Sequence, residues 1–334
     1  MWFNVLAMPQ WYLIGRSYYG HAGYAAARAK WSDPDMEQQR DLAGKHYMVT
    51  GANAGIGFAI AEELAKRRAN VHMVCRDAGR AEAARTDIVE RAKAAGVSEP
   101  HVHVHLADID SMESVRALAD KYATDHSALH GLINNAGSLF NDEIKAKGGR
   151  EMTMAIALGG SFLLTGLLLP LLKNAPHGRV VNVSSGGQYL INLDRNDYLG
   201  EQRTGEAYNG TAAYALAKRV QVELTKRWAV EPRAQGVSFH SMHPGWVVTP
   251  GATATISDFT NKHKHMMRDM HQGADTAVWL AIADEPATAK NGHFWFDREE
   301  ARTDMRLAGT SWSDEDRNTL WKRCEDACGW TLSQ

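Results

Sequence analysis

Residues 50–57, Thr-Gly-Ala-Asn-Ala-Gly-Ile-Gly, decide the fold that we predict for this chain. They follow a short apolar run at 46–50 and open a helical pattern of apolar residues from Ile60 to Ala65. Glycine has no Cβ, so the turn lets the backbone approach a pyrophosphate, which would lie on the free N–H groups of the helix N-terminus. The stretch predicts nucleotide binding, with a plain strand-to-helix turn as the alternative. The predicted contacts are Gly51, Asn53, Gly55, Ile56 and Gly57.

Short apolar or β-branched runs alternate along the chain with longer helical patterns. The runs lie at 46–50, 71–75, 102–106, 131–134, 179–183 and 237–242. This alternation predicts a single α/β domain, a Rossmann-like doubly wound parallel sheet with helices on both faces. We expect this domain at 42–296, between an N-terminal arm at 1–41 and a C-terminal extension at 297–334. Asp110 and Glu113 resemble a capping box for the helix after the third run.

The composition restricts the classes of partner. The 334 residues carry a formal net charge of -2 with 23% charged residues, which argues against a uniformly basic nucleic-acid-binding surface and against a disordered chain. We therefore expect small-molecule partners and no nucleic acid. Cys75, Cys324 and Cys328 are too few for a disulfide framework and predict a reducing intracellular compartment, by default the cytoplasm. We expect Cys324 and Cys328 to be half-buried thiols rather than half of a metal site.

The first 32 residues form a basic, aromatic segment without Asp or Glu. Its apolar part, Val5 to Ile14, contains Pro9 and Gln10 and is shorter than the roughly 20 residues of a transmembrane span. We expect a docked arm whose aromatic side chains cover apolar surface, or an interfacial arm in peripheral contact with a membrane. A cleaved mitochondrial transit peptide is the alternative. The apolar run from Phe162 to Leu172 predicts a buried helix.

Tyr214 and Lys218 lie four residues apart in a helical segment at 211–229, so they share one helix face. An ammonium beside a phenol favours the phenolate and lowers a pKa that starts near 10, which suits proton transfer near neutral pH. A surface pair is the alternative at this spacing. Ser185 ends the strand-like stretch that begins at Arg179, and a side chain at that end of a parallel strand points into the ligand crevice.

These motifs occur in the order and spacing of the short-chain dehydrogenase/reductases, which the chain resembles over most of its length. They are the glycine turn with Thr50, Asn134-Asn135-Ala136-Gly137, Ser185, the Tyr214/Lys218 pair, and His243-Pro244-Gly245 followed by Thr249. Together they are specific to that family. The resemblance implies an oxidoreductase that transfers hydride between a nicotinamide cofactor and a small carbonyl or alcohol substrate.

The resemblance also assigns roles to individual residues. It implies that Tyr214 is the general acid/base, that Ser185 polarises the substrate carbonyl, and that Lys218 lowers the pKa of Tyr214 and binds the nicotinamide ribose. One position departs, because Ala157 stands where the family has an Asn linked through water to the Lys. This weakens the expected proton relay, and it leaves a catalytically impaired nucleotide-binding scaffold or redox sensor as the rival function. The further implied cofactor contacts are Asp108, Asn135, Ala136, Gly137, Gly245 and Thr249.

Arg76 indicates which nicotinamide cofactor is preferred. The strand-like run at 71–75 leads into Arg76 and lacks the acidic residue that bonds the ribose 2′-hydroxyl of NAD. We expect Arg76 to bind the 2′-phosphate, so that NADP(H) is preferred and NAD(H) remains usable.

Two segments could shape the substrate entrance. Between Ser185 and Tyr214 lie 28 residues, more than a simple connection needs. The second segment, 253–270, carries Met266, Met267 and Met270, which would lie on one side of a helix as a lid or as ordinary core.

The alternating His101, His103 and His105 would face one way on a strand. We expect them on a partly exposed edge strand rather than at a metal site, and we extend this interpretation to His263 and His265. No metal is therefore predicted. A homo-oligomer is compatible with the sequence.

Overall fold

The computed structural model describes residues 4–36, 41–284 and 290–332. Residues 1–3 and 37–40 of the predicted arm, and 333–334 of the predicted extension, lie outside the described part. Eight described strands form one sheet, in the order β3-β2-β1-β4-β5-β6-β7-β8. They are β1 (His46–Thr50), β2 (Asn70–Cys75), β3 (His101–Leu106), β4 (Gly131–Asn134), β5 (Arg179–Val183), β6 (Ser238–Met242), β7 (Phe294–Phe296) and β8 (Glu299–Glu300).

Helices connect and flank these strands. The arm contributes α1 (Ala7–Ile14), which continues as a π-helical turn (Gly15–Tyr19), and α2 (His21–Arg28). The rest are α3 (Gly55–Lys66), α4 (Ala78–Ala94), α5 (Met112–Asp125), α6 (Met152–Leu158), α7 (Thr165–Asn174), α8 (Gly210–Ala229), α9 (Pro250–Thr255), α10 (Ser257–His263), α11 (Met270–Ile282) and α12 (Asp314–Cys328). A second π-helical turn (Gly159–Leu164) joins α6 to α7.

The sheet is parallel from β1 to β7, and only β8 pairs antiparallel to its neighbour. Alternate strand residues face opposite sides, so two apolar cores form. Met48 and Val74 face the core shared with α5, α7 and α8, whereas Val49 and Met73 face the core shared with α3, α4 and α11. The predicted doubly wound α/β fold is confirmed. Its parallel strands direct their carboxyl ends to one edge, which is where ligands bind in such sheets.

The helix after β3 begins at a different residue from the one that the sequence predicted. Asp110 and Glu113 do not form a capping box, because the N-cap of α5 is Ser111, whose hydroxyl accepts a hydrogen bond from the Ser114 N–H. Asp110 stays in the loop beside Asp108. Serine and aspartate are both good N-caps, so the choice between neighbours depends on where the loop leaves the sheet.

The segment Met152–Asn174 is long and apolar enough to span a membrane, with a mean hydropathy of 2.1 over an 18-residue window. However, 83% of that window is buried inside the fold. Phe162 and Leu172 are fully buried, in agreement with the predicted core helix. Gly159 is required where the helix meets the loop before α5, because a Cβ there would overlap the carbonyl oxygen of Ile109.

The C-terminal helix α12 packs on α8 and on the π-helical turn before α7. Trp321 and Trp330 meet Phe162 edge to face, at centroid distances of 5.0 and 5.5 Å. Cys324 and Cys328 are buried in the same core and are free thiols, so the expectation that they are half-buried is corrected. Their side chains fill apolar space, which raises the pKa of Cys328 to about 12.

Candidate functional site

The glycine turn lies at the carboxyl end of β1 and leads directly into α3. Gly51 and Gly55 adopt positive φ values of +66° and +58°, which residues with a Cβ rarely adopt. A Cβ at Gly57 would overlap the Asn135 amide and the Gly51 carbonyl oxygen. The N-cap of α3, Ala54, makes no side-chain cap, so the amide N–H groups of the first turn are left for a ligand. The turn has the form of a phosphate cradle.

Thr50 and Asn135 brace this cradle against the neighbouring strand. The Thr50 hydroxyl accepts hydrogen bonds from the backbone N–H groups of Asn135 and Ala136, at 3.0 and 2.9 Å. The Asn135 side chain donates to the carbonyl oxygens of Thr50 and Gly51, at 2.9 and 3.3 Å. The Asn135 amide is therefore committed to fixing the turn. The sequence assigned this residue to the cofactor directly, and the bracing role was missed.

A narrow cleft of about 160 Å³ follows the carboxyl ends of β1, β2 and β3. Arg76 lies exposed at its edge, and Asp108 and Asp110 line its wall. Burial, together with a hydrogen bond that protonated Asp110 donates to Asp108, raises the pKa of Asp110 to about 6, and the charge of Arg76 opposes this rise. The sequence prediction included Arg76 and Asp108, whereas Asp110 was assigned only a capping role. The other lining residues include Gly51, Asn53, Ala136 and Gly137.

A second cavity of about 410 Å³ adjoins the cleft, because Gly137 and Ser138 line both. Ser185 and Tyr214 lie on its wall, with Ile56 and Thr249 toward the glycine turn. The remaining wall is mostly apolar and comes from several elements. Its large apolar side chains are Trp11, Leu139, Leu190, Trp246, Ile256, Phe259 and Met267. The fold thus places the narrow cleft next to an apolar chamber, whose wall carries the hydroxyl groups of Ser185 and Tyr214.

Ser185 and Tyr214 are hydrogen-bonding neighbours. Burial raises the pKa of Tyr214 above its usual value, and the contact with the Ser185 hydroxyl opposes the rise. Tyr214 is therefore a neutral phenol at pH 7 here, not the phenolate-leaning group expected from its pairing with Lys218. The Ser185 oxygen also accepts a hydrogen bond from the Gly187 N–H at 3.1 Å, which fixes the hydroxyl at the end of β5.

Lys218 lies beneath Tyr214, with its Nζ 5.5 Å from the centre of the Tyr214 ring. The ammonium donates to the Val183 carbonyl oxygen at 2.8 Å and to Gln221 Oε1 at 3.0 Å. Burial lowers the pKa of Lys218 to about 7, because desolvation disfavours its charged form. A Cβ at Gly137 would lie 2.9 Å from this Nζ, so a larger residue there would displace the end of the Lys218 side chain.

Gln221 extends the polar contacts of Lys218 into the core. Its amide nitrogen donates to the Ser161 hydroxyl at 3.0 Å, and both side chains are buried. Ser161 lies one helical turn after Ala157, in the π-helical turn that follows α6. Ala157 itself is buried among apolar residues of α8. The amide missing at position 157 therefore has a counterpart on the other helix, which the sequence analysis missed because Gln221 follows Lys218 within an ordinary helical pattern.

His243 joins the ends of β5 and β6. Its Nδ1 accepts hydrogen bonds from the backbone N–H groups of Gly186 at 3.0 Å and Gly245 at 3.3 Å. Burial lowers the pKa of His243 to about 3, so the imidazole is neutral and can accept. This contact holds the turn with Gly245, whose φ is +86°, against the Ser185 loop. Thr249 then caps α9 through the Ala252 N–H, and its methyl group faces Gly55.

The N-terminal arm is part of the chamber. Trp11 packs on Trp246 at a centroid distance of 5.6 Å, and Tyr19 meets the ring of His243 edge to face at 4.5 Å. Arg268, buried with Asp297, donates to the carbonyl oxygens of Tyr18 and Gly20. The sequence predicts aromatic coverage by this arm but does not place Trp11 in the site.

Two predicted entrance segments differ from expectation. Met266 and Met267 precede a break at Arg268, and a new helix, α11, starts at Met270 after its N-cap Asp269. The three methionines therefore do not share one helix face, because a bridge between Val247 and Arg268 interrupts the helix. Met267 alone lines the chamber.

The 28-residue connection between Ser185 and Tyr214 differs from expectation too, because its middle lies away from the site. Leu190 lines the chamber close to Ser185. Further along, Arg195 and Tyr198 bind Asp316 of α12, which anchors the middle of the connection on the C-terminal extension. Only the two ends of this connection therefore reach the site.

Comparison with known proteins agrees with this geometry. The short chain dehydrogenase family model matches residues 45–192. The chain is 37% identical over 316 residues to dehydrogenase/reductase SDR family member 12 of Bos taurus, covering 95% of this chain and 96% of that protein. The chain belongs to the short-chain dehydrogenase/reductase family.

Two further proteins are similar over shorter spans. Retinol dehydrogenase 11 of Mus musculus is 31% identical over 293 residues, covering 84% of each chain. A solved 3-ketoacyl-(acyl-carrier-protein) reductase from Brucella melitensis complexed with NADH shares the fold, with a TM-score of 0.58 and 22% identity over 76% of this chain and 96% of that one. As a short-chain dehydrogenase/reductase, this chain is an oxidoreductase with a Rossmann-like fold.

Proposed function

We propose that this protein transfers hydride between NADP(H) and the carbonyl carbon of an apolar aldehyde or ketone, or the corresponding alcohol. The observation that carries the proposal is that Tyr214 and Ser185 lie together on the wall of the apolar chamber, and that this chamber adjoins the cleft beside the glycine turn at Gly137 and Ser138. A substrate carbonyl in this chamber lies beside a hydroxyl pair and beside the cradle formed by the glycine turn.

The lining of the chamber supports an apolar substrate. Its large side chains are aromatic or aliphatic, and Trp11, Trp246 and Phe259 form one aromatic wall. Each substrate methylene that leaves water for such a wall contributes about 0.8 kcal/mol, or roughly a fourfold gain in kcat/KM. A sugar or another polyhydroxylated substrate would instead lose hydrogen bonds to water there.

The residues on the chamber wall supply the proton. Ser185 accepts from the Gly187 N–H, so its own hydroxyl proton can be donated to the substrate oxygen. Tyr214 is neutral at pH 7 because burial raises its pKa, which suits a proton donor in the reducing direction. Lys218 then returns the proton to Tyr214, since its own pKa of about 7 allows exchange near neutral pH.

Gln221 holds Lys218 in place for this exchange. With the Val183 carbonyl oxygen it gives the ammonium two acceptors, and Ser161 fixes the amide in turn. The arrangement replaces the support that Ala157 cannot supply, so the proposed proton transfer does not require an Asn at that position.

The residues present fit a nicotinamide dinucleotide. Gly51, Gly55 and the uncapped first turn of α3 would hold its pyrophosphate, and the cleft beside Asp108 would hold its adenosine half. Arg76 lies exposed at the edge of that cleft and favours NADP(H) through its 2′-phosphate. When bound, the cofactor supplies or accepts the hydride.

The test is oxidation of NADPH by the purified protein with aldehydes and ketones of increasing alkyl length. We expect kcat/KM to rise with each methylene until the chamber is filled. Polyhydroxylated carbonyls of equal size are the matched control and should be poor substrates. Equal rates for the two series would refute the apolar assignment, and no turnover of any carbonyl or alcohol with either cofactor would refute the proposed activity.

A further inference from the structure

A second cluster of titratable side chains lies away from this site, on the face of the sheet that packs against α5. Five histidines from four separate segments of the chain gather there. Two come from the neighbouring strands β1 and β2, two come from the edge strand β3, and one caps the end of α5. They are His46, His72, His103, His105 and His126. None of them lines either cavity described above.

Strand register explains why these rings meet. His72 on β2 is directly opposite Met48 on β1 and His103 on β3, so His46, His72 and His103 lie on one face of the sheet. The helix α5 runs back across this face and ends at His126. The rings of His72 and His126 are 4.8 Å apart, and those of His46 and His126 are 5.0 Å apart.

Three of these imidazoles converge on one point. His46, His72 and His126 each offer a ring nitrogen, and these three atoms lie within 4.8 Å of one another. The closest observed approach within this group is 3.0 Å, between His46 Nδ1 and His72 Nε2. A tetrahedral zinc ion, with Zn–N distances of about 2.0–2.1 Å, would hold its nitrogens about 3.3 Å apart. His46 and His126 are half-buried and His72 is buried, so reaching that spacing requires adjustment chiefly of the His46 and His126 rings.

The surroundings of His72 resemble the support that a metal-bound histidine needs. Its Nδ1 faces His105 Nε2 at 2.9 Å, so one ring nitrogen is fixed by a neighbour while the other faces His46. Metal-bound histidines commonly use their second nitrogen in this way. His72 is buried, and Tyr122 of α5 packs edge-on against its ring at 4.9 Å.

Burial also keeps the strand imidazoles in the protonation state that binds metals. It lowers the pKa of His46 and that of His105 to about 4, and it lowers the pKa of His72 further. Neutral imidazole has a lone pair, whereas imidazolium has none.

We propose that His46, His72 and His126 bind a divalent transition-metal ion such as Zn²⁺ or Ni²⁺, with His105 orienting His72 and water completing the coordination. The ion links β1 and β2 to the end of α5, on a part of the sheet that lines neither cavity. Its role is therefore structural, and it is independent of hydride transfer. The row His101-Val-His-Val-His105 contributes only the supporting residue, and the ligands come from three other elements.

A hydrogen-bonded row of neutral imidazoles is the alternative, because N–H···N contacts link His46, His72 and His105 without any ion. That row leaves out His126, whose ring nitrogen joins the other two only in the metal arrangement. The two explanations therefore differ in what they require of His126, and variants at this position separate them.

The experiment is titration of tag-free full-length protein with Zn²⁺ and with Ni²⁺ by calorimetry, with Co²⁺ absorption as a report of ligand type. We expect one ion per chain and a rise in Tm with metal concentration. The variants H46A and H126A should each weaken binding by about tenfold or more. H126A replaces a residue at the end of α5 and spares the buried His72, so it should remain folded. H101A, on the same edge strand at an exposed position, is the matched control and should bind as the wild type does.

Absence of stoichiometric binding to the wild type would overturn the proposal and leave the imidazole row as the account of the cluster. Binding that persists unchanged in the folded H46A/H126A double variant would also overturn it, by placing the metal elsewhere. The Kd for NADPH, measured beside each titration, should stay constant across the series, because the cluster lines neither cavity.

Discussion

Replacing Gln221 by Leu tests whether the amide beside Lys218 supports proton transfer. The variant removes the acceptor at 3.0 Å from Lys218 Nζ and leaves the Val183 carbonyl oxygen at 2.8 Å as the remaining protein acceptor that we identify. A hydrogen bond to a charged group is worth about 1.5–3 kcal/mol, and one pKa unit corresponds to about 1.4 kcal/mol. The pKa of Lys218, about 7 in the structure, should therefore fall by roughly one to two units.

The sign of the effect follows from which form of Lys218 donates. In the reducing direction the ammonium must be present, so activity is lost as pH rises through its pKa. At pH 7 about half of Lys218 is charged in the wild type, and about 1–10% would be charged in Gln221→Leu. We expect kcat at pH 7 to fall about 5- to 50-fold, and the alkaline limb of the pH–rate profile to move by one to two units toward acid.

The assay is steady-state NADPH oxidation from pH 5 to pH 9, with the Kd for NADPH and the Tm measured on each variant. Gln221→Glu keeps an acceptor beside Lys218, so its alkaline limb should move toward higher pH instead. Ser161→Ala removes only the partner of the amide and should give a smaller shift than Gln221→Leu. A purely structural role would lower Tm without moving the profile. A folded Gln221→Leu protein with the wild-type pH profile and kcat would refute the reasoning.

The remaining predictions concern the cofactor preference, the general acid/base Tyr214, the position 157 that differs from the family pattern, and the N-terminal arm. Arg76→Ala should reduce the preference for NADPH over NADH about tenfold, since Arg76 is exposed and partly screened; an unchanged ratio of Kd values in titrations would exclude the 2′-phosphate contact. Tyr214→Phe should lower kcat about 10²- to 10⁴-fold with unchanged cofactor Kd, and retention of the wild-type kcat would rule out this acid/base. Ala157→Asn should not raise kcat, because Lys218 already has two acceptors, and it should lower Tm because position 157 is buried. A higher kcat in this variant would instead show that the missing Asn limits proton transfer in the wild type. Trp11→Ala should raise KM for long-chain carbonyls more than for short ones at constant NADPH affinity, and equal KM changes across the alkyl series would place Trp11 outside the substrate contact.

Local sequence explains the strands and helices and the glycine turn of the candidate site. Strands β1, β4 and β5 have the bounds predicted from apolar runs, because a strand buried on both faces of a parallel sheet must be apolar at nearly every position. The glycine turn is equally local, since Gly51 and Gly55 are required by their positive φ values. Ser185 and Tyr214 meet as expected because each follows from its own strand or helix in a fold with fixed topology.

Contacts between segments that are distant in the chain could not be predicted from local sequence. Trp11 lines the chamber only because buried Arg268 and the aromatic rings around Trp246 hold the arm there. The His46–His72–His126 cluster depends on strand register and on where α5 ends, and no spacing in the chain encodes either.

Local sequence was enough to predict the doubly wound sheet, the glycine turn and the positions of Ser185, Tyr214 and Lys218, because backbone conformation and apolar periodicity are properties of neighbouring residues. The environment of those groups depends on tertiary packing, which local sequence does not encode. Burial raises the pKa of Tyr214 and lowers that of Lys218, against the simple expectation from their pairing, since desolvation depends on everything packed around a charge. Gln221 lies beside Lys218 because the two are three residues apart on one helix, but only the packing of that helix against the turn after α6 gives the Gln221 amide its partner Ser161.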